Sequence, residues 1–262
     1  MQLSRLAQIL YGLGFAGLGV LGLRSGDFAL SWQPVPDGVP ARTFLAYVSG
    51  TILLAAGAGL LVPRAARRSA IVLTGFVALW LLALQVPRVV HEPGDAGVWL
   101  GFGENVLSVT GGWALVVFLT ERDGRRGGVF FDSDGGLRVA RVLFALALPV
   151  IGLSHFVYLD FTTQMIPAWL PARRGFAVLT GAGHMAAGLG LLLGIFRRLA
   201  ATLEAAMLSC FVLLLHGPGV VAAPTSRLQW TMLCVATAFT GAAWAIAGSL
   251  GGERWLRVPW RR

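Results

Sequence analysis

Apolar stretches about as long as a bilayer is thick alternate along this chain with short segments rich in Arg, Gly and Pro. Eight such runs lie near 6–23, 43–62, 69–86, 98–119, 141–158, 175–196, 199–215 and 228–250. A hydrocarbon core of about 30 Å is crossed by about 20 apolar residues in an α-helix, so each run predicts a transmembrane helix. Runs three and seven are the short ones. The expected fold class is an all-α polytopic membrane protein.

The pattern occurs twice. Shifted by half its length, the sequence falls on itself. Ser49-Gly50 lands on Thr180-Gly181, Ala55-Ala56-Gly57 on Ala186-Ala187-Gly188, and Pro40-Ala41-Arg42 on Pro171-Ala172-Arg173. Pro36, Pro87, Trp99 and Trp113 land on Pro167, Pro218, Trp230 and Trp244. A period of this kind predicts a repeated architecture. The expected organisation is a first four-helix membrane repeat at 1–120, a Gly-rich charged linker at 121–137, a second repeat at 138–250 and a basic tail at 251–262. An even number of spans per repeat orients both copies alike, with a pseudo-two-fold axis along the membrane normal.

Composition agrees with a membrane protein. The chain is 56% hydrophobic and 13% charged, with a mean hydropathy of +0.73; a soluble domain carries about 25% charged residues. The net charge of +9 suggests nucleic acid only until the basic residues are placed. All 21 are Arg, and 15 of them fall at one end of an eight-span arrangement against six at the other. The positive-inside rule then predicts both termini and the linker on the cytoplasmic side of the plasma (inner) membrane, with the lipid bilayer as partner and no nucleic acid. The first run reads as a retained helix, because its repeat partner at 141–158 is internal.

Within the runs most glycines suit close helix packing. Gly12-Leu13-Gly14-Phe15-Ala16-Gly17 matches a dinucleotide fingerprint, but it sits in a membrane helix and lacks the strand that motif requires. The first outer loop of each half is Pro-rich, with Trp32 in one and Trp169 in the other. Both loops are expected to form stiff, partly interfacial caps.

Positions where the copies differ carry the chemical information. His184 lies about 14 Å into run six at about 1.5 Å per residue, and its repeat partner is Leu53. An ionisable residue inside a membrane is a functional candidate. His155 and His216 are expected near the outer surface of the same copy. Two of His155, His184 and His216 would suit haem or a metal ion, since imidazole binds iron, copper and zinc. The competing reading of His184 is a histidine hydrogen-bonded to a neighbouring helix. Glu104, beside Asn105, has Val235 as its partner and suits either an ion pair with Arg24, Arg42 or Arg88, or a ligand or proton site. Cys210 and Cys234 fall at similar depths on consecutive helices, which suits either a redox pair or two small apolar side chains. Asp160 with Arg173 and Arg174 suggests an outer polar patch. Glu204, following Arg197-Arg198, reads as a helix-surface charge.

The second copy resembles the DoxX-like membrane family, a four-helix module. The resemblance rests on Arg141, Gly152-Leu153-Ser154-His155-Phe156, the Pro167–Pro171 loop, Thr180-Gly181-Ala182-Gly183-His184-Met185-Ala186-Ala187-Gly188 and Arg197-Arg198. The family's acidic residue in the second helix is His184 here. The resemblance implies an accessory protein or subunit of a membrane redox system linked to quinone. Its ligand (quinone, haem or metal) would sit in the outer half of repeat two, and other membrane subunits would be partners. Two rival expectations are a carrier of a small lipophilic or anionic molecule and a purely structural subunit of a larger complex.

Overall fold

The computed structural model describes residues 2–125 and 128–259. Arg126, Arg261 and Arg262 of the basic clusters lie outside the described residues. Eight helices are long and apolar enough to cross a membrane. They are α1 (Gln2–Ser25), α2 (Arg42–Leu60), α3 (Ala66–His91), α4 (Ala96–Arg122), α5 (Asp134–Val157), α6 (Arg173–Leu193), α7 (Arg197–Ala222) and α8 (Arg227–Ser249). No strand occurs among the described residues.

Runs three and seven are longer than their apolar patterns. Each helix continues through a proline, at Pro87 and Pro218, by opening one π turn, Leu81–Gln85 in α3 and Val212–His216 in α7. Proline has no N–H and its ring collides with the carbonyl one turn earlier, so the helix must widen there or break.

These two π turns occupy matching positions in the two halves, and so do several other local features. Ala41 and Ala172 both precede a helix in the left-handed conformation, at φ 54° and 51°. Asp95 and Ser226 both cap the following helix with their side chains. The Trp99 indole donates to the Pro93 carbonyl at 2.8 Å, and the Trp230 indole donates to the Pro224 carbonyl at the same distance.

The packing crosses between the halves. Within each half the first helix packs on the second, the second on the third and the third on the fourth. The first helix of each half also packs on the fourth helix of the other: α1 on α8, and α5 on α4. Helices α4 and α8 meet each other at the centre and are the most buried of the eight. Their contact needs Gly111, where an added Cβ would overlap Ala242. Likewise a Cβ on Gly241 would overlap the Tyr11 backbone of α1. Tyr11, fully buried, reaches on to donate to the Ser108 carbonyl of α4 at 2.9 Å.

The first outer loop is not interfacial. Trp32 is 4% exposed and packs among Phe15, Trp80 and Phe239, so it belongs to the core. Gln33 beneath it accepts from the Ala29 amide and donates to Ser49. The loop is held by Asp27, which pairs with Arg42 on one side and with Arg227 of α8 on the other, at 3.0 Å for the latter. Slight burial opposes the charge on the Asp27 carboxyl. Hydrogen bonds from Arg227, Arg42 and the Phe28 amide outweigh it and hold the carboxyl below the usual carboxylate range. In the second half the corresponding loop carries the short helix Leu159–Met165, the exposed pair Asp160–Arg174 and an exposed Trp169.

At the opposite end of the bundle Phe130 and Phe131 of the linker pack on Trp113, whose indole donates to the Phe131 carbonyl at 2.6 Å. Arg67 pairs with Asp132. Arg197 pairs with Glu253, and Arg198 stacks on Trp255, so the tail is fastened to the start of α7.

Gly241→Ala should lower stability by about 1–3 kcal/mol through overpacking. Gly75→Ala, where nothing lies within 4 Å of the new methyl, should be neutral or gain up to about 1 kcal/mol from helix propensity. Thermal unfolding of both variants in detergent checks the contrast in sign.

The Asp27 clasp predicts a pH dependence. Its folded carboxyl holds a proton less tightly than the unfolded one, so its contribution is complete above the ordinary carboxylate value of about 4 and disappears as pH falls through the lower folded value. Melting temperature measured from neutral to acid pH should fall less steeply in Asp27→Asn, which starts lower at neutral pH. An unchanged acid slope would contradict the assignment.

Candidate functional site

In the second half three helices bring ionisable side chains together. His184 sits near the middle of α6, Glu204 about two turns into α7, and His155 in the last turn of α5. His184 Nδ1 and Glu204 Oε1 are 2.9 Å apart, and their side chains are 1% and 0% exposed. The His155 and His184 rings meet edge to face, with centres 5.1 Å apart. Phe211 of α7 stacks on His155 at 6.2 Å and meets His184 edge-on at 6.0 Å.

Glycines make the approach possible. A Cβ on Gly152 would meet the Gly181 carbonyl oxygen at 2.6 Å and His184 Cβ at 3.2 Å, and one on Gly181 would meet His155 Cβ at 2.7 Å. Without them α5 and α6 would stand too far apart for the two rings to touch.

Each ring has one polar partner at Nδ1. His184 Nδ1 and Glu204 Oε1 share one hydrogen bond, and the second nitrogen of the ring, Nε2, is left for another partner. The Thr180 hydroxyl gives its single hydrogen to the backbone, with the Phe176 carbonyl at 2.9 Å. Its oxygen also lies 3.1 Å from His155 Nδ1. His184 Nε2 and Glu204 Oε2 are buried without a hydrogen-bond partner among the described residues. His155, Thr180 and Phe211 are only partly buried and form the open side of the cluster.

Of the residues singled out in the sequence, the structure joins His155 and His184. His216 ends the π turn of α7 and is not part of the ring cluster. Glu104 is partly buried in α4, and no basic side chain lies within ion-pair distance of it among the described residues, so the expected pair with Arg24, Arg42 or Arg88 does not form. Cys210 and Cys234 are both free thiols; Cys210 is exposed, and Cys234 Sγ lies against Gly17 of α1. Asp160 does pair with Arg174, at 2.8 Å.

Glu204 is not the surface charge that its place after Arg197-Arg198 suggested. One signal was present: its repeat partner in the first half is Leu73, the same polar-for-Leu difference that marked His184. Thr180 and Phe211 carried no such signal, since Ser49 and Trp80 at the matching positions are of like kind. In the first half Leu53 and Leu73 are both fully buried in the apolar core.

The geometry limits what can bind. Among the described residues no group of three or more His, Cys, Asp or Glu side chains stands in position to hold a metal ion. Axial imidazoles of a haem must flank the macrocycle, and two rings in edge-to-face contact leave no room for it. Two imidazoles beside an aromatic ring instead suit a flat molecule with a polar group at its edge.

A family model described as a domain of unknown function (DUF8561) matches residues 144–246, a span that begins within α5 and ends within α8 and includes every residue of this cluster. No curated protein and no solved structure matches the chain.

The contrast with Leu53 and Leu73 generates a stability prediction. His184→Leu alone leaves the Glu204 carboxyl buried and unpaired, and should cost about 3–5 kcal/mol. The double variant His184→Leu/Glu204→Leu installs the pair of residues found in the first half, and should unfold within about 1 kcal/mol of the parent. Melting curves of the single and double variants test this; additive losses would mean that the two side chains do not act as a pair.

Proposed function

We propose that this chain is a DoxX-like integral membrane protein formed from two tandem four-helix copies of the same orientation. In this reading the second copy binds the headgroup of a quinol or quinone, and the protein serves as an accessory or subunit of a membrane redox system. The duplication is supported by the π turns, left-handed caps and Trp–carbonyl hydrogen bonds that recur at matching positions of the two halves. Cytoplasmic termini are supported by the crowding of Arg67, Arg122, Arg197 and Arg198 at the end of the bundle that holds the linker and the tail.

The observation that carries the ligand reading is the buried His184–Glu204 pair with its unpartnered Nε2, set against His155 and Phe211. A neutral imidazole held by a carboxylate accepts a hydroxyl hydrogen at Nε2, and the carboxylate stabilises the imidazolium when the proton crosses. A quinol releases protons on oxidation, so such a pair is suited to receiving one. Phe211 offers an apolar face to a flat ring, and the partly buried side of the cluster permits approach from lipid.

The near-zero exposure of His184 and Glu204 favours a second reading, in which the pair is only a polar latch between α6 and α7. Photolabelling with a short-chain azidoquinone in proteoliposomes separates the two. The quinone reading expects label on peptides from α5, α6 or α7, and its loss in the folded His184→Leu/Glu204→Leu variant. Equal labelling of parent and double variant, or none in either, would leave the latch.

A further inference from the structure

The first half contains a different polar cluster, on α3 and α4. Gln85 closes the π turn of α3 and is 0% exposed, and both its amide oxygen and its amide nitrogen lack a hydrogen-bond partner. Asn105 of α4 is also 0% exposed. Its Nδ2 donates to the Gly101 carbonyl at 2.9 Å, and its Oδ1 has no partner. Gly101 joins the two amides. A Cβ there would lie 3.1 Å from Gln85 Oε1 and 3.4 Å from Gln85 Nε2, so the Gln85 amide rests directly over Gly101. Asn105 is one turn further along the same face of α4.

We propose that Gln85 and Asn105 bind internal water over Gly101, between the π turn of α3 and the outer half of α4. The free atoms are two carbonyl-type acceptors and one amide nitrogen with its two N–H donors. An anion is excluded because two of the three are acceptors. A cation is excluded because the set carries no charge and too few oxygens to replace a hydration shell. Water both gives and accepts: it takes a hydrogen from Gln85 Nε2 and donates to Asn105 Oδ1, with a hydrogen left over for an acceptor nearby. Buried waters make about three such bonds.

The backbone supports the same conclusion. Pro87 has no N–H, so a carbonyl of the preceding turn loses its helical donor. In a bilayer a freed carbonyl needs a replacement partner, and ordered water beside a proline is a common one. Leaving three amide atoms unpaired in a dry helix contact is strongly unfavourable. The inference is independent of the quinone reading, because it concerns the other half of the chain.

Water-edited solid-state NMR of the whole protein in lipid, with glutamine side chains labelled, tests it. Exposed Gln164 gives the wet reference and Gln8, which is buried and donates directly to the Leu60 carbonyl, the dry one. The Gln85 signal is identified by its disappearance in Gln85→Met. Magnetisation should pass from water to the Gln85 amide hydrogens as it does to those of Gln164, and should be lost in Asn105→Leu. If Asn105→Leu does not fold, Gly101→Ala serves, since its methyl occupies the space beside the Gln85 amide. A Gln85 signal as dry as that of Gln8, or transfer at the parental level in a folded variant, would overturn the proposal.

Discussion

Close approach of helix backbones is the constraint on which this structure depends. Lipid removes the hydrophobic drive that joins helices in water, so cohesion must come from van der Waals contact and a few interhelical hydrogen bonds. At the centre α4 and α8 can touch only because residue 111 has no side chain, and α1 can reach α8 only because residue 241 has none. The crossed pairs α1–α8 and α5–α4 then follow. Neither half can close its own four-helix bundle, since the first helix of each is spent on the fourth helix of the other. The tether from Asp27 to Arg227 likewise runs between halves.

Within that shared frame the halves differ in how they fill equivalent space. The first half fills it with aromatic and aliphatic groups: Trp32 folds down from its loop onto Trp80, and Leu53 and Leu73 are buried nearby in the same core. The second half has no tryptophan folded in from its loop, Trp169 being exposed, and puts His184, Glu204 and His155 where the first has apolar or unrelated residues. At these matching positions one half therefore carries apolar side chains and the other ionisable ones.

Much of the fold was legible in the sequence because lipid imposes a single length scale. Eight apolar runs predicted eight helices, and eight long apolar helices are found among the described residues. What stayed hidden depended on contacts between distant segments. Trp32 looked interfacial because it stands among prolines and polar residues, and only the folded loop shows it turned inward. Runs three and seven looked short because proline normally ends a helix, whereas a π turn carries both helices past it. Glu204 looked like a surface charge because it follows two arginines; the helix turns it inward, and its pairing with His184 is a tertiary contact between α6 and α7. His216, chemically similar to His184, shows the converse, since residue type alone does not place a side chain in a cluster.

The buried pair bears on why a membrane protein would keep such a feature at all. Taking a carboxylate and an imidazole out of water is costly, and their mutual attraction recovers that cost only with good geometry. Here His184 Nε2 and Glu204 Oε2 remain unpartnered, so the geometry is incomplete. The first half demonstrates that the fold has an apolar solution at the same two positions, Leu53 and Leu73, both fully buried. Replacing buried ion pairs by well-packed apolar residues is commonly neutral or stabilising. Stability therefore does not account for His184 and Glu204. The proposed role of the pair as a proton acceptor would account for them, with the unpartnered Nε2 beside His155 and Phe211 as the place where the proton arrives.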